Sequence, residues 1–335
     1  MSQPSSPPSP PSPLESAYLA PRPPGAPVRI ALGTMNFGKR TSEAEAARIL
    51  DRAVERGVTL FDTANGYTDG VSEQIVGKAM KRHQGRVLVA TKVGSRRDAG
   101  KQEGLSRAVV TRAIEGSLSR LGLTCVDLYY LHTTDPKTPV EETIDAMAEL
   151  LRKGQIRHFA VSNHASWQIL EIDRLCDERG IPRPRASQVM YNLLVRQVEI
   201  EYLRFAARYP IHTTVYNPVA GGLLTGRYPP GAAAEKGSRF DKNPLYQRRY
   251  FSPRLLELAA RYQSLAEAHG MSLLEFAYAW LAGAAGVDSI LVGPGSVEHL
   301  DAAIDACEKQ LPPEARVTAD EIHRDYLGTD ATYAR

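Results

Sequence analysis

Short apolar runs alternate with longer amphipathic stretches along most of the chain, and this alternation constrains the fold more than any single motif. The runs are Ile30–Met35, Val58–Asp62, Val87–Val93, Val126–His132, Ile156–Ser162, Ala186–Asn192, His212–Asn217 and Ser289–Gly293. Each has the length and composition of a buried parallel strand. The stretches between them carry helical periodicity with their own punctuation. Gly57, Gly122, Gly154 and Gly180 each follow one, where a left-handed residue commonly ends a helix. Thr138–Pro139–Val140–Glu141 reads as a capped helix start with proline in the first turn, and Ser272–Glu275 and Thr318–Glu321 as capping boxes. Eight strands alternating with helices over roughly 280 residues predict a single closed (β/α)8 TIM barrel, a fold of roughly 250 residues. A doubly wound open sheet is the alternative. Two segments exceed a simple connection: a long loop, Thr225–Ser252, after the seventh strand, and a C-terminal extension after Leu311.

The barrel pattern occupies residues 28–335. Ahead of it, residues 1–27 hold 10 of the chain's 23 prolines and read as a disordered, partly polyproline tail. The rest is mixed in charge: 41 basic against 38 acidic residues, with no basic run long enough to track a phosphate backbone, so nucleic acid is not an expected partner. No apolar run has the length of a membrane span, and no membrane partner is expected. The three cysteines, Cys125, Cys176 and Cys307, lack metal-ligand spacing and fit a reducing, cytoplasmic setting.

A barrel of this kind builds its active site where the strands end and the following loops begin. Here those ends are polar. Asp62 closes the second strand and Tyr67 follows in a glycine-containing turn. Lys92 closes the third strand, His132 the fourth and Ser162–Asn163 the fifth; Gln188 lies in the sixth and Tyr216–Asn217 end the seventh. Each has a plain reading: an Asp after a strand forms turns, a buried His is satisfied by backbone, and a Lys beside an Asp is a structural ion pair. So many polar residues at one end of apolar strands favour one shared site. A metal-dependent hydrolase is disfavoured, because the clustered His and carboxylate ligands are missing.

Two stretches imitate phosphate loops. Gly221–Gly222–Leu223–Leu224–Thr225–Gly226–Arg227 nearly spells a Walker loop, but Arg227 stands for the lysine and Tyr228 for the magnesium-binding hydroxyl, which excludes a nucleoside triphosphatase. Gly293–Pro294–Gly295–Ser296 lacks the third glycine of a dinucleotide fingerprint. A strand, glycines and a Ser-capped helix can still offer free N–H groups to a phosphate.

Taken together, the chain resembles the aldo-keto reductases. The resemblance rests on Gly33–Thr34–Met35, Asp62–Thr63–Ala64 with Tyr67, Thr91–Lys92, Asp127–His132, Val161–Asn163, Gln188–Asn192 and Tyr216–Pro218, in order and at matching strand positions. Gly221–Tyr228, Arg249 and the terminal Tyr333–Ala334–Arg335 make it most similar to the aflatoxin-aldehyde and succinic-semialdehyde reductase branch. The resemblance implies Asp62, Tyr67, Lys92 and His132 as the catalytic residues of hydride transfer from NADPH to an aldehyde or ketone. Tyr67 would supply the proton, Lys92 paired with Asp62 would ease its release, and His132 would orient the carbonyl. It places Gly33, Thr34, Met35 and Asp62 near the coenzyme, with Ser162, Asn163 and Gln188 on the nicotinamide amide. Tyr216, with Asn217 beside it, would stack on the ring. Pro218, Gly221, Gly222, Leu223, Gly226 and Arg227 would line the pyrophosphate, and Gly293, Ser296 and His299 the adenosine end. Met35, Tyr67, His132, Arg249 and Arg335 would meet the substrate, the arginines holding an acidic group.

Two departures bear on the coenzyme. Gly295 stands where many members carry Lys or Arg, and His299 and Ala303 replace residues usual around the adenosine. A neutral His attracts a 2′-phosphate far less than a guanidinium does, so NADPH is the family expectation and NADH is not excluded. A homodimer is the assembly implied by resemblance to the branch. The alternative reading is a cofactor-binding protein of the potassium-channel β-subunit type, which shares the fold and turns over slowly.

Overall fold

The computed structural model describes residues 12–98 and 100–334, and the statements below concern those residues. Eight parallel strands close into a barrel: β1 (Arg29–Gly33), β2 (Leu60–Asp62), β3 (Leu88–Val93), β6 (Val126–Leu131), β7 (Ile156–Ser162), β8 (Ala186–Met190), β9 (His212–Tyr216) and β10 (Ser289–Val292). Neighbours pair in that order and β10 pairs back onto β1, so the alternating pattern yields the closed barrel, not the open sheet. The remaining strands, β4 (Arg97–Asp98) and β5 (Lys101–Gln102), form a small hairpin on the loop after β3.

The helices follow their sequence signals unevenly. Gly122 and Gly180 terminate α4 (Arg107–Leu121) and α6 (Ser166–Arg179) in the left-handed region. Ser272 and Glu275 form the expected capping box of α10 (Leu273–Ala282). The other two boxes do not form. Thr138 donates its hydroxyl to Asp135 at 2.7 Å, leaving Pro139 to begin α5 (Val140–Arg152) without a side-chain cap. Thr318 lies inside α12 (Pro313–Leu327), its hydroxyl bonded to the Glu314 carbonyl one turn back, a common use of Thr within a helix. The long segment after β9 contains α8 (Pro244–Tyr250), capped by the Asn243 side chain.

The N-terminal segment corrects the sequence reading. Residues 1–11 lie outside the described residues; residues 12–27, also expected to be disordered, begin with an ordered helix. Ser12 caps α1 (Pro13–Leu19), with Pro13 at the first helical position where its missing N–H costs nothing. The helix inserts Tyr18 and Leu19 against Ala31, Leu60, Leu88, Leu128 and Tyr130, the inward residues of the lower barrel. The Tyr18 hydroxyl donates to Ser289 Oγ at 3.1 Å, and Arg22 bonds the Ala282 and Ala284 carbonyls at 2.6 and 2.7 Å. Buried Glu15 faces His158 at 3.2 Å and Arg157 at 3.3 Å. Residues 13–22 thus close the barrel floor. Tyr18→Ala is expected to cost about 3–5 kcal/mol, the usual loss for deleting a large buried ring. A urea denaturation midpoint equal to that of the parent chain would contradict it.

Candidate active site

Strand parity builds the site. Side chains alternate between faces, so Leu60 and Asp62 point the same way, as do Leu88, Ala90 and Lys92, and Leu128, Tyr130 and His132. The lower members join the apolar cluster around Tyr18, whereas Val89, Tyr129, Leu131 and Val161 pack outward against the helices. At the upper end the inward positions turn polar: Asp62, Lys92, His132, Ser162, Gln188 and Tyr216. The sequence-predicted tetrad is brought together there.

Lys92 and Asp62 are both fully buried, at 0 % exposure, and form an ion pair. The ammonium also donates to the Thr63 carbonyl at 2.9 Å, and Gln188 Nε2 donates to the second carboxylate oxygen at 3.0 Å. Lys92 Nζ lies 5.2 Å from the centroid of the Tyr67 ring. Tyr67 begins a tight turn that continues through Thr68 and Asp69 at positive φ. Its ring meets that of His132 edge-on, centroids 5.8 Å apart at 77°.

Burial dominates the electrostatics. It pulls the Lys92 pKa below its ordinary value, while Asp62 pulls it back up. Burial and then the Asp62 charge push the Tyr67 phenol well above its usual value. The phenol therefore stays protonated at neutral pH, with Lys92 Nζ held close to its ring. Burial, reinforced by Lys92, pushes His132 well below the ordinary histidine range, so its imidazole is neutral at physiological pH.

Above these groups opens a cavity of about 850 Å³, within the range of ligand sites. Four arginines line it, Arg97, Arg227, Arg239 and Arg249; the only lining carboxylate among the described residues is Asp62, already paired with Lys92. Such a cavity suits an anionic ligand. Gly33, Thr34, Met35, Asn217 and Pro218 line it as expected. Gly221 and Gly222 line it with φ of +70° and +108°, and a side chain at Gly221 would meet the Tyr246 ring at 2.9 Å. Glycine there keeps backbone at the cavity wall, beside Arg227, as a pyrophosphate requires. The residues present fit a dinucleotide.

At the far end Gly293 and His299 line the cavity, while Ser296 caps α11 (Val297–Glu308) through the His299 N–H at 3.3 Å. A carboxylate is also present: Glu45 accepts from the Val297 N–H at 3.1 Å. Leu223 is buried in the core instead of lining the cavity, and Gly226 stands back from it. Arg335 lies outside the described residues. The polar groups that the resemblance assigns to the nicotinamide are joined by hydrogen bonds to one another and to neighbouring site residues. Asn163 donates to the His132 carbonyl at 2.9 Å and accepts from the Tyr216 hydroxyl at 2.6 Å, and Ser162 donates to the Gln188 carbonyl at 3.0 Å.

Several lining residues escaped the sequence reading. Arg239 bridges Asn36 at 3.0 Å and the Tyr246 hydroxyl at 3.1 Å, from the long loop after the seventh strand that the sequence marks without marking this residue. Ser95 lies 2.7 Å from His132 Nδ1. Its place three residues after Lys92, behind a glycine, was the available clue.

A (β/α)8 barrel with a buried lysine–carboxylate pair behind an arginine-lined cavity defines the class as a barrel enzyme with a site for an anionic ligand. Residues 29–324 match the Aldo/keto reductase family, and the chain belongs to it. It is 36% identical over 306 residues to "Aflatoxin B1 aldehyde reductase member 2" of Homo sapiens, covering 86% of this chain and 84% of that one. "Aldo-keto reductase family 7 member A3" of Homo sapiens is 34% identical over 300 residues, covering 83% and 88%. "Protein tas" of Escherichia coli (strain K12) is 30% identical over 330 residues, covering 89% and 94%. Among the described residues no helix is long and apolar enough to cross a membrane, and no cluster of metal-binding side chains occurs.

Proposed function

We propose that this enzyme reduces aldehydes to alcohols with NADPH, using Tyr67 as the proton donor, and that it favours aldehydes carrying an acidic group. The observation that carries the reading is the fully buried Lys92–Asp62 pair set 5.2 Å from the Tyr67 ring at the base of the cavity. When bound, the coenzyme supplies hydride to the carbonyl carbon; the chain must supply the proton and hold the geometry. Tyr67 does the first. Its raised pKa keeps the proton on the phenol until negative charge develops on the substrate oxygen. The phenolate left behind is then stabilised by the nearby ammonium of Lys92. Asp62 and Gln188 fix that ammonium, and the neutral imidazole of His132 hydrogen-bonds the carbonyl oxygen and orients it. Arg227, beside Gly221 and Gly222, would hold the pyrophosphate. Arg239 and Arg249 lie on the cavity wall with Tyr246, where they can bind a substrate carboxylate.

Steady-state coenzyme oxidation tests this. With NADPH and 4-nitrobenzaldehyde or succinic semialdehyde, turnover at or above about one per second is expected, with a higher kcat/KM for the acidic aldehyde. Because His132 is neutral, it adds no inflection to the pH profile near the ordinary histidine value. Equal or better rates with NADH would overturn the coenzyme assignment. Oxidation stopping at one equivalent of coenzyme would overturn the enzymatic role.

A further inference from the structure

We infer that Ser95 is a positioning residue that selects the imidazole tautomer of His132, keeping the proton on Nε2 so that this nitrogen can donate to the substrate oxygen. The inference rests on the carbonyl-reducing reading above and deepens it. Ser95 Oγ and His132 Nδ1 are 2.7 Å apart, and both residues line the cavity. A neutral imidazole carries one N–H, and its position decides which nitrogen donates. With the proton on Nδ1, Ser95 would be the acceptor, and Nε2 would present a lone pair to a carbonyl oxygen. Two acceptors repel. With the proton on Nε2, the Ser95 hydroxyl donates to Nδ1 and Nε2–H is left for the cavity. Among the described residues the Ser95 hydroxyl has no other hydrogen-bond acceptor, so only this arrangement uses its proton within the protein.

The surrounding loop is folded to hold Ser95 in place. Gly94 adopts φ +109°, where a side chain would come within 2.7 Å of Leu105. Its N–H donates to Glu103 Oε1 at 2.7 Å, and the Glu103 N–H donates to the Arg96 carbonyl at 3.0 Å, so the backbone is tied on both sides of Ser95. Glu103 also accepts from Asn65 at 2.9 and 3.1 Å, joining this loop to the one bearing Tyr67. The His132 backbone is fixed as well: its N–H donates to the Val93 carbonyl at 2.8 Å, and its carbonyl accepts from Asn163. With the backbone clamped, the remaining freedom is ring rotation and tautomer, and the bond to Ser95 removes both.

The test compares Ser95→Ala and Ser95→Thr with the parent, all as the full chain. Ser95→Ala is expected to lower kcat about tenfold, the size of one lost hydrogen bond, with coenzyme affinity unchanged; Ser95→Thr, which keeps the hydroxyl, recovers most of the rate. Nitrogen-15 NMR of histidine-labelled protein, with His132 assigned by comparison with His132→Gln, reads the tautomer directly. The parent should show an unprotonated Nδ1 that loses its hydrogen bond in Ser95→Ala. A kcat within twofold of the parent in Ser95→Ala, or a proton on Nδ1 in the parent, overturns the inference. The NMR arm does not depend on turnover, so failure of the carbonyl-reducing reading would be seen separately, as a parent chain that oxidises no coenzyme.

Discussion

Lys92→Met lowers carbonyl reduction by at least about 10²-fold and destabilises the fold by about 3–5 kcal/mol, the usual cost of removing one partner from a buried ion pair. Both losses have one origin. Asp62 and Lys92 have no access to water, and Lys92 supplies the strongest compensation the carboxylate has. Without it, Asp62 keeps its bond from Gln188 but carries an uncompensated charge inside the barrel. Stability and catalysis can be separated by removing the second charge. The double variant Lys92→Met with Asp62→Asn should recover most of the denaturation midpoint, because deleting both partners leaves no orphaned charge. It should recover none of the turnover, because the Lys92 ammonium that stabilises the Tyr67 phenolate is gone. A double variant as unstable as the single one would contradict the electrostatic origin of the loss.

Tyr67→Phe gives the opposite profile: little change in stability and a loss of about 10²–10⁴ in kcat, the range for a positioned general acid. The ring's edge contact with His132 and its position over Lys92 survive the substitution, and only the hydroxyl is removed. Since burial holds the phenol neutral, the parent enzyme should not lose its proton donor as pH rises through the neutral range. A decline at alkaline pH belongs first to Lys92, whose pKa is pulled down by burial.

The strand ends were legible in the sequence for a definite reason. In a closed parallel barrel, parity alone decides which residues face inward, so Asp62, Lys92 and His132 could be placed in one site without knowing any contact. Parity says nothing about partners across the barrel. Gln188, read as a coenzyme ligand, also donates its amide nitrogen to Asp62, a pairing of residues 126 positions apart. The complete burial of the Lys92–Asp62 pair was equally hidden. The N-terminal segment shows a third limit. Its prolines suggested a solvated tail, although Ser12–Pro13–Leu14–Glu15 has a cap, a proline at the first helical position and an acidic first turn. Leu14 and Tyr18 also lie four apart on one helical face. The signal was present, but composition outweighed it. The length of the loop after β9 was visible, but Arg239 within it was not singled out, because only the folded path of that loop brings it to the cavity.

The central claim is that a neutral phenol at the cavity wall, beside a buried lysine–carboxylate pair, completes the reduction begun at a bound coenzyme. Single-turnover kinetics test it most directly: parent and Tyr67→Phe are loaded with NADPH, mixed with 4-nitrobenzaldehyde, and followed by coenzyme fluorescence. The account predicts equal coenzyme binding by both, with oxidation at least about 10²-fold slower in Tyr67→Phe. Equal oxidation rates in the two proteins would contradict it.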